Sequence, residues 1–150
     1  MPTLLVVHHT ASPTLDEMLE SVLLGARDDE IEGVDVVTAA ALTASPAQVL
    51  AADGLVLGTP ANMGYMSGAM KVFFDNAYYP CLREKRGLPY GLYVHGNNDV
   101  TGAVSSVERL AAGLGWRRAA PVVEVVGQPS AADFQRLREL GGVVAATLMM

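Results

Sequence analysis

Apolar residues recur along this chain in two alternating rhythms, and that alternation constrains its fold more than any other feature. Leu4-Leu5-Val6-Val7, Val34-Asp35-Val36-Val37-Thr38, Gly54-Leu55-Val56-Leu57-Gly58, Tyr90-Gly91-Leu92-Tyr93-Val94 and Val122-Val123-Glu124-Val125-Val126 are short runs rich in β-forming residues. Between them, apolar residues fall three and four apart, the spacing of one helix face. Leu15, Met18, Leu19, Val22, Leu23 and Ala26 make the first such stripe. Met70, Phe73, Phe74 and Ala77 make another, as do Val104, Val107, Leu110, Ala111 and Leu114. Strands alternating with helices predict an α/β doubly wound five-stranded parallel sheet with helices on both faces. The first run is apolar throughout, as in a strand covered on both sides. The second is less apolar and reads as an edge.

Local signals mark the helix ends. Ser12 is a good N-cap, and Pro13 fits the first helical position, where no N–H is needed. Asp16 and Glu17 follow in the first turn, where the helix dipole favours negative charge. Ser45-Pro46 opens a short helix to about Ala52, and Pro80 ends or kinks the third. The last helix runs from about Ser130, with Gly141-Gly142 as a weak point. With no linker or repeat, one domain over residues 1–150 is expected.

Composition narrows the classes. Of 150 residues, 51% are hydrophobic and 17% charged, enough for one buried core. The net charge of −6 argues against a nucleic-acid partner met through a basic face. Cys81 is the single cysteine, which excludes an intrachain disulfide and a multi-cysteine metal site. Met1-Pro2-Thr3 lacks a basic leader, and no apolar run nears the roughly 18 residues of a membrane span. The expectation is a cytoplasmic protein with no membrane partner.

Ligands of such sheets bind beyond the carboxyl ends of the strands. Three loops there carry suitable chemistry. The first holds hydroxyls of Thr10, Ser12 and Thr14 beside the N–H groups of a helix start, a combination that suits a phosphate without Lys or Arg. A plain helix cap by Ser12 explains the same residues. The second, Gly58 to Gly68, is long and neutral, with Met63, Tyr65 and Met66, and suits a flat, partly apolar ligand. Gly64 there is free to take conformations closed to other residues. Met66 and Met70 read better as core fillers. The third, His95-Gly96-Asn97-Asn98-Asp99, offers amides for polar ring edges. Equally, it is an Asn-rich turn before a helix capped by Asp99 or Thr101.

Together these loops resemble the flavodoxin-like FMN-binding family over essentially the whole chain. GTPANMGYMSGAMKVFFDN, Gly58 to Asn76, is similar to the Gly-Thr-Pro…Gly-x-Met-Ser-Gly…Met…Phe-x-Asp segment of its NAD(P)H:quinone oxidoreductase and NADPH-dependent FMN reductase branch. HTASPTLDEM and HGNNDVTGAVSSVERLAAGLGW resemble the phosphate loop and the segment after the fourth strand. The resemblance implies a strand order of 2-1-3-4-5 and non-covalent FMN. It places Thr10, Ala11, Ser12, Pro13, Thr14 and Leu15 around the phosphate. It sets Thr59, Pro60, Ala61, Asn62, Met63, Gly64 and Tyr65 on one side of the ring, and His95, Gly96, Asn97, Asn98 and Asp99 on the other. Pro13 stands where the family has Gly, which removes one N–H from the phosphate loop. The quinone-reductase branch also carries an extra segment after the fourth strand that this chain lacks.

The implied activity is an oxidoreductase passing electrons from NAD(P)H to a small acceptor such as a quinone or flavin. Met63 near the stacking position and no aromatic in the third loop favour an accessible ring. The alternative is a flavodoxin-type one-electron carrier serving a redox partner protein. A non-redox regulatory domain is the lesser alternative, since His8-His9 and Gly58-Thr59 stand where a receiver domain needs acids. The apolar end, Val143 to Met150, packs either on its own sheet or on a second subunit. No G-x-G-x-x-G follows a strand. His8, His9 and His95 lack metal-ligand spacing, nothing marks Cys81 as a nucleophile, and Arg83 to Arg86 reads as solvated surface.

Overall fold

The computed structural model describes residues 1–149. Strands β1 (Thr3–His8), β2 (Asp35–Ala40), β3 (Gly54–Asn62) and β5 (Pro89–Gly96) lie parallel in the order β2-β1-β3-β5. The expected fifth position is filled by two short strands, β6 (Arg117–Arg118) and β7 (Val123–Val126), both parallel to β5. The expected run from Val122 forms β7, one residue shorter at its start, and β6 is an added piece that precedes it. Pro121 offers no N–H to a ladder, so pairing lapses around it. Strand β4 (Tyr65–Met66) pairs antiparallel with β3.

Helices cover both faces. Helix α1 (Pro13–Ala26) and helix α5 (Ala131–Ala146) lie on one side, over a core that includes Leu4, Val6, Met18, Val22, Val56 and Tyr93. Helices α2 (Pro46–Ala51), α3 (Gly68–Cys81) and α4 (Thr101–Gly113) cover the other, over Leu5, Val7, Leu57, Phe73, Phe74 and Trp116. Successive strand residues face opposite ways, so Leu4 and Val6 serve one core and Leu5 and Val7 the other. That is why the first strand reads as apolar throughout. The edge strand β2 mixes exposed and half-buried positions and has none fully buried, as its mixed sequence predicts.

The caps follow from local chemistry. The Ser12 hydroxyl accepts from Leu15 N at 3.2 Å, with Pro13 at the first helical position. Ser45 and Ser130 each form a reciprocal capping box, with Gln48 and Asp133. Pro80 lies in the last turn of α3, which ends one residue later. The expected weak point at Gly141-Gly142 is instead a contact: α5 runs unbroken through it. A Cβ at Gly141 would collide with the Val22 carbonyl, and one at Gly25 with the Arg138 carbonyl. These glycines let α1 and α5 approach backbone to backbone.

Candidate functional site

The three loops singled out in the sequence meet at the carboxyl edge of the sheet. His8 is in register with Gly58, and Pro60 with His95. The first loop is tied to the second by His9 N donating to Gly58 O at 2.9 Å. A Cβ on Gly96 would lie 3.3 Å from that of Ala61, so the second and third touch as well.

The first loop runs from His9 into α1. No hydrogen bond within the described residues takes up the backbone N–H of Thr10, Ala11, Ser12 or Thr14. With the N-terminal end of the helix dipole, these donors form an anion cradle. Ser12 accepts from Leu15 N through a lone pair, which leaves its own proton free to donate. His8 Nδ1 lies 2.7 Å from Thr10 Oγ1 and steadies that hydroxyl. Burial, and secondarily the neighbouring His9, hold the His8 imidazole below its ordinary value, against an opposing pull from Asp16. The cradle thus gains no cation from His8 at neutral pH. The Nδ1 of His9 is buried without a hydrogen-bond partner.

The second loop is not a loop for most of its length, which corrects the reading of residues 59–67 as an open connection. Strand β3 continues to Asn62, turns through Met63 and Gly64, and returns as β4. Both turn residues have positive φ, 49° and 75°. That is the signature of a two-residue hairpin whose twist matches its strands. Glycine reaches it freely, whereas Met63 takes it at a steric cost. The Met63 side chain is fully exposed and Tyr65 is 42% exposed, so both remain available to a ligand.

The base of this hairpin is tied down by buried hydroxyls. Thr59 Oγ1 donates to Pro60 O at 2.8 Å and accepts from Ser67 N at 3.0 Å. Ser67 in turn caps α3, accepting from Met70 N at 3.1 Å. Thr59 and Ser67 have no exposed surface, and Pro60 is buried. Thr59 and Pro60 therefore hold the hairpin in place, with their side chains buried beneath it. At its tip the hairpin rests on α4. Met66 N donates to Ser106 Oγ at 3.2 Å, and the Gly64 carbonyl occupies the space a Cβ on Gly102 would need. Met66 and Met70 are buried in the core, as expected of them.

In the third segment, His95 and Gly96 end β5, and Asn97, Asn98 and Asp99 are exposed. His95 Nε2 donates to Gly127 O at 2.8 Å, which fixes the ring against the loop after β7. Asp99 Oδ1 accepts from Thr101 N at 2.9 Å, and that bond holds its carboxyl below the ordinary range. Asp99 thus serves the start of α4, though the N-cap residue itself is Val100.

Ser106, Gly102 and Tyr93 escape a reading of the sequence, since each meets a partner distant along the chain. Gly58 gives the only hint, because a glycine inside a strand signals close approach. Its missing side chain leaves room for the Tyr93 ring. Elsewhere, Cys81 is buried, and burial pushes its thiol up, away from a reactive thiolate. Among the described residues no cluster of metal-ligating side chains forms, and no helix is long and apolar enough to cross a membrane.

A family model described as NADPH-dependent FMN reductase matches residues 9–131. A flavodoxin of Aquifex aeolicus (strain VF5) is 41% identical over 76 residues, 51% of this chain. The match covers 40% of that relative's length. Among solved structures, an archaeal flavodoxin superposes with a TM-score of 0.82 at 17% identity, covering 97% of both chains. The Streptococcus pneumonia TIGR4 flavodoxin gives 0.80 at 21% identity, over 99% of this chain and 100% of the other. A flavodoxin, WrbA-like protein from Agrobacterium tumefaciens gives 0.79 at 22% identity, over 98% and 97%. At these identities the structural matches show a shared fold.

Proposed function

The chain belongs to the NADPH-dependent FMN reductase family, and from that premise we propose that it passes electrons from NAD(P)H to a small acceptor, a quinone or a free flavin, through FMN held at the three-loop edge. The observation that carries the proposal is the convergence of a neutral anion cradle, an exposed hairpin tip and an amide-rich turn on one side of the sheet.

The residues fit FMN. The free N–H groups at Thr10, Ala11, Ser12 and Thr14 and the hydroxyls of Thr10, Ser12 and Thr14 match the donors a phosphate dianion needs. Pro13 gives none, and Leu15 N is already held by Ser12. Beyond the cradle, Ala61, Asn62, Met63, Gly64 and Tyr65 would hold the flat ring from one side. His95, Gly96, Asn97 and Asn98 would hold it from the other, with the amides of Asn97 and Asn98 available to its polar edge. When bound, FMN supplies the redox chemistry, accepting hydride from the nicotinamide and yielding electrons to the acceptor. The chain's part is to bind, orient and leave one face open. Met63 is flexible and unbranched, so it yields to an incoming nicotinamide more readily than a stacked aromatic.

One observation favours a second reading, the one-electron carrier. Only Asn97 to Val100 join β5 to α4, so the extra segment of the quinone-reductase branch has no counterpart. Anaerobic absorbance spectra separate the two. Purified protein is loaded with FMN, freed of excess, and mixed with NADPH or NADH. Fast bleaching of the flavin band is expected for the oxidoreductase. Retention of flavin without bleaching moves the assignment to the carrier, and failure to retain flavin overturns both.

The cradle has its own test. Ser12→Asp keeps an acceptor at the helix cap but places a carboxylate against the phosphate. FMN affinity should fall by at least about tenfold with little change in thermal stability. Unchanged affinity removes the phosphate from this loop.

A further inference from the structure

Tyr93 is among the largest fully buried side chains, with 1% of its surface exposed. Its ring lies across Gly58, where a Cβ would fall within the phenol end. Gly58 also anchors the first loop: it is in register with His8, and its carbonyl accepts from His9 N. Tyr93 packs on the α1 side of the sheet, in the same core layer as Leu15 from the first turn of α1. The phenol end therefore lies over Gly58 on β3, level with His8, the last residue of β1 before the cradle.

No side-chain or backbone group within the described residues bonds the Tyr93 hydroxyl. The hydroxyl is not sealed in either: the enclosed polar atoms without a partner among the described residues are His9 Nδ1 and Trp116 Nε1, so the Tyr93 O–H keeps a small opening at the end of an otherwise buried ring. Burial also pushes this phenol well above its ordinary range, so it stays protonated. The chain thus keeps an unspent donor under a loop that already turns untaken N–H groups towards one space.

We propose that Tyr93 is a cofactor-binding residue whose hydroxyl donates from beneath the cradle to the phosphate of FMN. The inference rests on the placement of the phosphate in the first loop. It explains how a cradle lacking Lys, Arg and the N–H of Pro13 recruits a further donor. It also explains why position 58 is glycine: any side chain would push the phenol away.

The test compares FMN with riboflavin, which carries the same ring without the phosphate. Dissociation constants are taken from quenching of flavin fluorescence, for the wild type and for Tyr93→Phe. Phenylalanine keeps the ring and its packing, so the melting temperature of the apoprotein should hold or rise. FMN should bind the variant about tenfold more weakly, as for the loss of a hydrogen bond to a charged group. Riboflavin should bind both proteins equally. A merely structural tyrosine would move both flavins together or neither. If the wild type prefers FMN and Tyr93→Phe keeps the full preference, this inference alone is overturned. A wild type with no preference for FMN overturns the phosphate placement and this inference with it.

Discussion

Met63 is the residue whose backbone departs furthest from what its side chain prefers. It is the only non-glycine with positive φ among the described residues, and its side chain is fully exposed. Packing does not explain a methionine there, so the conformation is held by the hairpin around it. Met63→Asn places a residue that tolerates this region in the same turn. It should raise unfolding stability by about 1 kcal/mol, read as a shift in denaturant midpoint at unchanged slope. His8 makes a different prediction. Its imidazole is held below the ordinary value of 6.5, chiefly by burial, so the unfolded chain takes up a proton more readily than the folded one. The associated stability is complete above pH 6.5 and is lost as pH falls towards the folded value. Against His8→Gln, the wild type should weaken progressively under mild acid. Parallel stability curves for the two proteins would rule out a titrating His8.

At the scale of the element, the hairpin and the α1–α5 pair depend on single atoms. Thr59→Val removes the oxygen that receives Ser67 N and leaves a buried donor unpaired at the root of α3. A loss of about 1–3 kcal/mol is expected. Gly141→Val should cost at least as much, since its first carbon meets the Val22 carbonyl and neither helix can yield without the other. Equilibrium unfolding of the two variants checks both numbers. Neither dependence is legible in the sequence. Period and apolar content expose helices and strands because each is set by residues close along the chain. Thr59-Pro60 looks like the start of a loop, and Met63-Gly64 lacks the Asn or Asp that usually announces a two-residue turn. Gly141-Gly142 reads as a helix defect until α1 is placed against it. The loops that form the cradle were legible, since Ser12, Pro13 and the hydroxyls around them act locally. The burial of Thr59 and Pro60 is not legible in the sequence, because it is set by Ser67 and by the sheet.

For the molecule as a whole, charge sets the terms on which an anion arrives. The chain carries −6, and residues 8–15 and 58–67 include no lysine or arginine. Fixed dipoles and hydroxyls that hold a phosphate act at contact range and are screened little by salt. Repulsion from the net charge is long-ranged and is screened. FMN affinity should therefore stay level or tighten between about 0.01 and 0.1 M salt, as the Debye length falls from about 30 to about 10 Å. A marked loss of affinity over that range would mean that side-chain cations carry the binding. The interrupted fifth position has a consequence of another kind. A long, regular border strand invites a neighbouring molecule to add its own strand, and repetition of that step is how fibrils grow. Here the border is two charged residues, a lapse at Pro121 and four further residues, too short and uneven to template another chain. Pro121→Val would let the border close into one ladder, and such a variant should seed thioflavin-positive aggregates that the native sequence resists.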